Sequence, residues 1–510
     1  MPGQDLPPRL LRSVPALFAA TAFCRIAGLV FDVLNIDEVD FALIGRSVAE
    51  GHLPYSQLVD IKPPLTYIAF APAALFGRLS LLPMHLLGIV LVAGTGLILG
   101  RAVLRWTGDA LAAAAAPWLY LLATLCDVPS TTSELLLNLP TALALLLFVE
   151  AENGSLLLDL LAGVCIGLAS LFKHQGGMLL ASLGLVLLLR AVRRRELRSI
   201  LRGMAMTIGL LLPWALTFAV YAQAHLLPQL LDWCFARNFG YAGDATAADP
   251  ALPRFFLSTA TCIGGTLPVW ILALQETAKK SQNAPEPPRT ALLAALWLTW
   301  IPVGTGGRFY EHYYLQFAPL LAVVAAPRAG GWIAEWPKLA RAIKARAAFV
   351  LLVPALAGCA FFLIKGAAGG YQSQDPKLVE VARFLREETR PDEELFVWGH
   401  ISPLYYLADR RPGTRYFHCS VLVGNFDPGH LKPDFDASRH VSERDVAAAL
   451  RDLEDHRVAI FVDLAPAKIH HWDRLPLSSV PALAQYLHAH YQLFGSPAGA
   501  LVYRRKSEPL

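Results

Sequence analysis

Apolar and polar positions alternate along this chain in long blocks: runs of leucine, alanine, valine and phenylalanine broken by short charged turns. A membrane-crossing helix needs about 20 mostly apolar residues. By that measure the blocks at 14–34, 84–104, 109–125, 134–150, 156–172, 176–192, 201–222, 255–275, 290–305, 312–328 and 347–365 predict about eleven transmembrane helices. The stretch 64–82 is also apolar, but Pro72, Gly77, Arg78 and Pro83 interrupt it, so it reads as an amphipathic helix at the interface. From about Tyr371 the pattern changes to short apolar runs between alternating charges. Residues 394–399 and 458–463 read as short buried strands, 377–388, 442–455 and 480–490 as helices, and 500–504 as a final edge strand. The expected architecture is a multi-pass α-helical membrane domain over 1–366, with an external loop at 35–83, and a small α/β domain over 367–510.

Charge orients the spans, because lysine and arginine collect in cytoplasmic loops. With the N-terminus inside, the cytoplasmic loops take Arg9, Arg12, Arg101, Arg105, the arginine run from Arg190 to Arg202, Lys279, Lys280, Arg289, and the cations from Arg328 to Arg346. The opposite side keeps scattered cations only, and the C-terminal domain falls outside. Across all 510 residues 55% are hydrophobic and 16% charged, too apolar for a water-soluble chain of this length. The net charge of +4 is distributed by membrane side, which argues against a nucleic-acid partner. Seven cysteines lie scattered, mostly in apolar runs and with no CxxC pair, so they predict neither a zinc site nor a disulfide framework. The first apolar run leads into an acidic loop without a small-residue cleavage site and is expected to be retained as a span. The stretch 281–288 reads as a cytoplasmic linker.

Candidate chemistry lies where polar residues interrupt the pattern on the external side. Asp37, Glu38 and Asp40 follow the first span, and Lys62 precedes the paired prolines Pro63 and Pro64. Ser133 and Glu134 open the fourth span, Lys173 and His174 separate the fifth from the sixth, and Arg308, Glu311, His312, Tyr313 and Tyr314 separate the ninth from the tenth. Singly, each has an ordinary use as a headgroup anchor, helix cap or interfacial aromatic. Jointly, cations and acids converging on one face predict a pocket open to the exterior: lysine and arginine for a phosphate, a carboxylate for the proton of an acceptor.

Taken together, Asp37–Glu38, Lys62–Leu65, Ser133–Glu134, the lysine ending Gly167–Lys173, and His312–Leu315 resemble motifs of the C-type glycosyltransferases. The nearest members are the bacterial relatives of protein O-mannosyltransferases and of the lipid A aminoarabinose transferase. The resemblance implies a transferase of the bacterial inner membrane that uses a polyprenyl-phosphate-linked sugar, with Asp37 as catalytic base, Glu38 beside it, and Lys62 and Lys173 facing the donor phosphate. Glu134, His174, Arg308, His312 and Tyr313 are expected at the substrates. The family often has aspartate where this chain has Glu134, and glycine where it has His174, which bears on sugar and acceptor more than on reaction type.

The implied reaction is a single inverting displacement at the anomeric carbon. No nucleotide diphosphate needs neutralising, so no metal is obligatory, although Glu38 and Asp40 would suit a divalent cation between them. Partners would be the lipid-linked donor, an acceptor lipid, glycan or protein, and membrane lipids. A transporter or lipid flippase would also line a cavity with charge, but such proteins favour midplane charges and inverted repeats. Here the ionisable groups gather on one face, Arg25 and Asp32 excepted, and no repeat is evident.

Overall fold

The computed structural model describes residues 8–75, 77–152, 154–240, 251–279, 287–424, 426, 428–431 and 435–507. Lys280 and most of the expected 281–288 linker lie outside them. The membrane part is built from α1 (Pro8–Cys24), α2 (Ile26–Val30), α3 (Ile36–Ala49), α4 (Pro64–Ala69), α5 (Leu82–Thr107), α6 (Ala110–Ala123), α7 (Ser133–Ala151), α8 (Leu156–Phe172), α9 (Met178–Arg194) and α10 (Leu197–Gln223). It continues through α11 (Ala251–Gly265), α12 (Leu267–Ala278), α13 (Pro287–Leu298), α14 (Ala318–Glu335) and α15 (Arg341–Ala367).

Helix falls on every apolar block read from the sequence, but the blocks are not equivalent. Among the described residues six helical stretches are long and apolar enough to cross a membrane: Leu82–Thr107, Ser133–Ala151, His174–Arg194, Leu197–Gln223, Glu311–Lys338 and Leu352–Gln374. The pair α11 and α12 makes a seventh if counted as one span, although it bends by 90°. The first block breaks at Arg25, and the apolar helices Ser13–Cys24, Ala110–Cys126 and Leu156–Phe172 are shorter.

Close approach of α8 and α10 anchors the bundle. Gly163 and Gly167 form a small-xxx-small face on α8, and a side chain at Gly163 would collide with the Met206 carbonyl, one at Gly209 with that of Leu160. At the N-terminal end of α8, Asp159 pairs with Arg202 of α10 at 2.9 Å, and Arg202 also reaches Glu152 and, at 3.1 Å, the Phe148 carbonyl.

Two elements differ from the sequence reading. The acidic segment after the first span is not a loop: Asn35 caps α3 by accepting the Asp37 N–H at 3.1 Å, and Asp37 and Glu38 occupy the first turn, where the helix dipole favours carboxylates. Val39, Phe41, Ala42, Leu43 and Ile44 then bury α3 on nearly all sides. The stretch after it is compact too, with α4 followed by the short 3-10 turn Ala71–Ala74.

Beyond α15 the chain forms α16 (Pro376–Glu388), β1 (Leu395–Trp398), α17 (Pro403–Ala408), α18 (Glu443–Asp455), β2 (Ile460–Asp463), α19 (Pro481–His490), β3 (Tyr491–Gly495) and β4 (Leu501–Arg505). The sheet order is β1-β2-β4-β3, with β1 parallel to β2 and the other pairs antiparallel. The expected edge strand at 500–504 is therefore internal, sandwiched between β2 and β3. The edge is β3, whose pattern of one buried, two exposed and two half-buried residues hides it from a search for apolar runs. Ion pairs fasten this domain to the helices: Arg237 to Asp445 at 2.6 Å, Arg444 to Asp232 at 2.9 Å and Arg411 to Glu50 at 2.6 Å.

Candidate functional site

A cavity of about 330 Å³ lies between the mouth of the helical bundle and the C-terminal domain. On the bundle side it is lined by Asn35, Asp37, Lys62, Asp127, Arg308 and His312, and Tyr310, Glu311 and Tyr313 adjoin them. Each arrives by a local device. Asp37 projects from the capped first turn of α3 and keeps 27% side-chain exposure. Lys62 sits in a clamp: its N–H donates to the Tyr67 hydroxyl at 2.9 Å, that hydroxyl donates to Asp60 at 2.9 Å, and Tyr55 donates to the Lys62 carbonyl. Pro63 then holds the backbone extended (φ -62, ψ 154) into α4. Arg308 and His312 come from the turn between α13 and α14, where Gly306 (φ 88) and Gly307 (φ 66) take the left-handed conformation that lets the chain reverse.

Beneath the cavity is a layer of buried charge. Glu134, in the first turn of α7, accepts from Ser133 Oγ at 2.9 Å and from the ammonium of Lys173, which follows the last residue of α8. The same ammonium lies 3.7 Å from the centre of the Tyr313 ring. Burial lowers Lys173, Glu134 pulls it back up and Lys62 lowers it again, leaving it at about 8. His312 links this layer to the cavity: its Nε2 is 3.9 Å from Glu134 and 4.0 Å from Asp37, and its ring stacks on Tyr310 at 5.6 Å.

The expected site residues thus divide. Asp37, Lys62, Arg308, His312 and Tyr313 meet at the cavity; Glu134 and Lys173 sit behind it as a pair. Glu38 points elsewhere: it is fully buried, accepting from the Thr131 N–H at 2.7 Å and contacting His85 Nε2 at 3.1 Å. His174 also turns away, stacking on Trp214 at 5.8 Å beside Cys234. Glu38 and Asp40 do not converge on a cation, because Asp40 Oδ2 faces His400 Nε2 at 3.3 Å. No group of three metal-ligating side chains occurs among the described residues.

The sequence reading passed over the upper wall. His400, Ser420, His470 and Trp472 of the C-terminal domain line the same cavity. So does Asp127, lifted to about 8 by burial, against which the Val128 N–H acts, with Glu311 and Glu134 adding to the rise. A lone aspartate between two apolar spans, and a histidine two residues beyond a strand, were the available signals.

No family model and no curated protein matches the sequence. Solved structures do. The chain is similar to ArnT from Cupriavidus metallidurans bound to undecaprenyl phosphate, at 15% identity over 98% of both chains with a TM-score of 0.56. It is similar to the apo state of that protein at 16% identity, over 96% of this chain and 97% of the other, with a TM-score of 0.57. It also resembles the Archaeoglobus fulgidus oligosaccharyltransferase AglB, solved with an inhibitory peptide and a dolichol-phosphate, at 15% identity over 98% of this chain and 74% of that one, TM-score 0.50. At these identities the likeness establishes the fold, which this chain shares with ArnT and AglB over nearly its whole length.

Proposed function

We propose that this protein is a glycosyltransferase that moves a sugar from a polyprenyl-phosphate-linked donor to an acceptor at the external face of a bacterial inner membrane. The observation that carries the reading is one cavity at the mouth of a membrane bundle lined at once by an open carboxylate, Asp37, and by two cations, Lys62 and Arg308. The bound polyprenyl phosphates of the structural neighbours support it. In this topology about eleven helical segments cross the membrane, the arginine-rich loop after Arg190 lies inside, and the C-terminal domain lies outside.

Asp37 takes the proton of the acceptor hydroxyl or amine as that atom attacks the anomeric carbon. The bond from that carbon to the phosphate oxygen breaks, its electron pair leaves with the polyprenyl phosphate, and configuration inverts. Charge grows on the departing phosphate, so fixed cations stabilise the transition state more than the ground state. Lys62 and Arg308 fit that role because they line the cavity. Lys173 is engaged by Glu134 and contributes from behind, holding Tyr313 and His312, and through them Asp37, in place. Glu38 and Asp40 anchor α3 to either side of the reacting acid.

The test is sugar transfer from a radiolabelled undecaprenyl-phosphate sugar by the full chain in nanodiscs, with the native membrane fraction as acceptor. Wild type should release undecaprenyl phosphate in step with transfer, and Lys62→Ala should weaken donor use while leaving the protein inserted. Donor use unchanged by both Lys62→Ala and Arg308→Ala would remove the phosphate site from this cavity.

A further inference from the structure

In open α/β sheets, ligands gather outside the carboxyl ends of parallel strands, where the outgoing loops splay apart. The C-terminal domain has one such place among its described strands. β1 and β2 run parallel and in register, Leu395 against Ile460 and Trp398 against Asp463, so both end at one edge. The chain leaving β1 carries His400 and the chain leaving β2 carries His470 and Trp472; all three line the cavity that holds Asp37. Ser420 joins them through Cys419, whose N–H donates to the Gly399 carbonyl at 3.2 Å. The ligand-binding edge of the small domain is therefore the roof of the cavity.

Its polar atoms are unfinished. Ser420 is 1% exposed and its Oγ has no hydrogen-bond partner in the protein. His470 Nε2 is buried and likewise unpartnered, 3.8 Å from the Asp375 carboxylate and beyond hydrogen-bond reach. Across the cavity, Asp127 Oδ2 is in the same condition. Buried polar atoms left without partners are costly, and three around one cavity call for a ligand that both donates and accepts. The loop bearing His470 is held in an unfavourable form to present it, with Lys468 (φ 58), His470 (φ 48) and His471 (φ 65) all left-handed. A hydroxyl, an imidazole and a carboxyl group, flanked by the aromatic rings of Phe426 and Trp472, match a polyhydroxylated ring: hydroxyls for the polar atoms, C–H faces for the apolar ones.

We propose that Ser420, His470 and Asp127 form a carbohydrate subsite at the carboxyl edge of β1 and β2, and that the sugar bound there is that of a glycan acceptor. The second claim rests on the transferase reading; the first does not. A donor sugar offers the same chemistry, and the measurements separate the two sources.

The full chain in nanodiscs is examined by saturation-transfer NMR with the methyl glycosides of glucose, mannose and N-acetylglucosamine, and with a serine- and threonine-containing hexapeptide. The expected result is saturation of at least one glycoside, reduced about fivefold or more by Ser420→Val and by His470→Leu, with undecaprenyl phosphate binding unchanged and melting temperatures near the parent's. Ser420→Ala, which removes the hydroxyl without adding bulk, guards against a misfolded valine variant and should weaken the signal in the same direction. Glycoside signals equal in wild type and Ser420→Ala, or saturation of the peptide alone, would overturn the subsite. In transfer assays, an acceptor KM raised by Ser420→Ala with donor KM unchanged supports the acceptor assignment; the reverse pattern overturns it in favour of the donor sugar. Should wild type transfer no sugar, the transferase reading falls while the glycoside arm still decides the subsite.

Discussion

The two ends of α8 bury charge in different ways. At its N-terminal end Asp159 meets Arg202, which is 1% exposed and also bonded to Glu152 and the Phe148 carbonyl, while Glu152 and Glu196 take Arg190 at 3.1 and 2.9 Å. There the charges satisfy one another in short contacts. At its C-terminal end Lys173 and Glu134 are as deeply buried, but the next contacts stretch to 3.9 and 4.0 Å at His312, and beyond them lies open volume with Asp37 on its wall. A closed cluster holds helices together; a cluster with slack at one side and a cavity beyond it has capacity left for a substrate.

The largest effect is expected from Asp37→Asn, which keeps size and capping geometry but removes the proton acceptor. General-base contributions run to about 100- to 10,000-fold in rate. Transfer should fall by that order with donor binding and melting temperature unchanged. Turnover near the parent rate at matched expression would show that Asp37 is not the base.

Next in size is Arg202→Met at the closed end. Stranding Asp159 in the bundle should cost about 3–5 kcal/mol of stability, seen as a lower melting temperature in nanodiscs, while the protein that remains folded keeps the parent's turnover. If turnover per folded molecule fell as far as it does with Asp37→Asn, the two ends would not be separable. Lys173→Met is the matching change at the open end. It should lower transfer by roughly 100-fold, the scale of a misplaced reacting group, because Tyr313 and His312 lose their support. The double variant Glu134→Gln with Lys173→Met should be more stable than Lys173→Met alone, because no buried carboxylate is then left unpaired.

The open end was largely readable in the sequence and the roof was not. Asp37, Lys62, Arg308, His312 and Tyr313 interrupt apolar runs on the side opposite the arginine-rich loops, so hydropathy and charge together put them on one face. Two details escaped because pattern says little about partners. Asn35 followed by two acids and an apolar run is a helix start, yet in an acid-rich stretch it reads equally as a loop. His174 sits one residue from Lys173, and only the packing of Trp214 and Phe235 decides that it turns the other way. His400 meets Asp40 across 360 positions, a pairing no local periodicity encodes. The exposed pattern of β3 concealed the strand that makes β4 internal.

The smallest predicted effect concerns that last contact, which ties the roof to the helix bearing Asp37. Asp40 lies three residues after Asp37 on α3, so its bond to His400 holds the first turn from above. Burial by itself disfavours the imidazolium, but the hydrogen bond and charge of Asp40, with Asp37 and Asp60 beyond it, outweigh burial and raise His400 above its ordinary 6.5. His418, stacked on it at 3.9 Å, is driven well below that value by burial and by His400, and stays neutral. By linkage, a histidine whose folded value is raised contributes stability that is fully present below its unfolded value and lost as pH climbs through the folded one. Hydrogen exchange of residues 36–40 should therefore be slowest in mildly acidic buffer and accelerate as pH rises past neutrality, once the intrinsic pH dependence of exchange is divided out. His400→Gln should flatten that dependence and leave exchange at the faster level throughout, with a drop in transfer far smaller than that of Lys173→Met. If exchange in the parent slowed with rising pH, or if His400→Gln kept the parent's profile, His400 would not be what holds α3 beneath the roof.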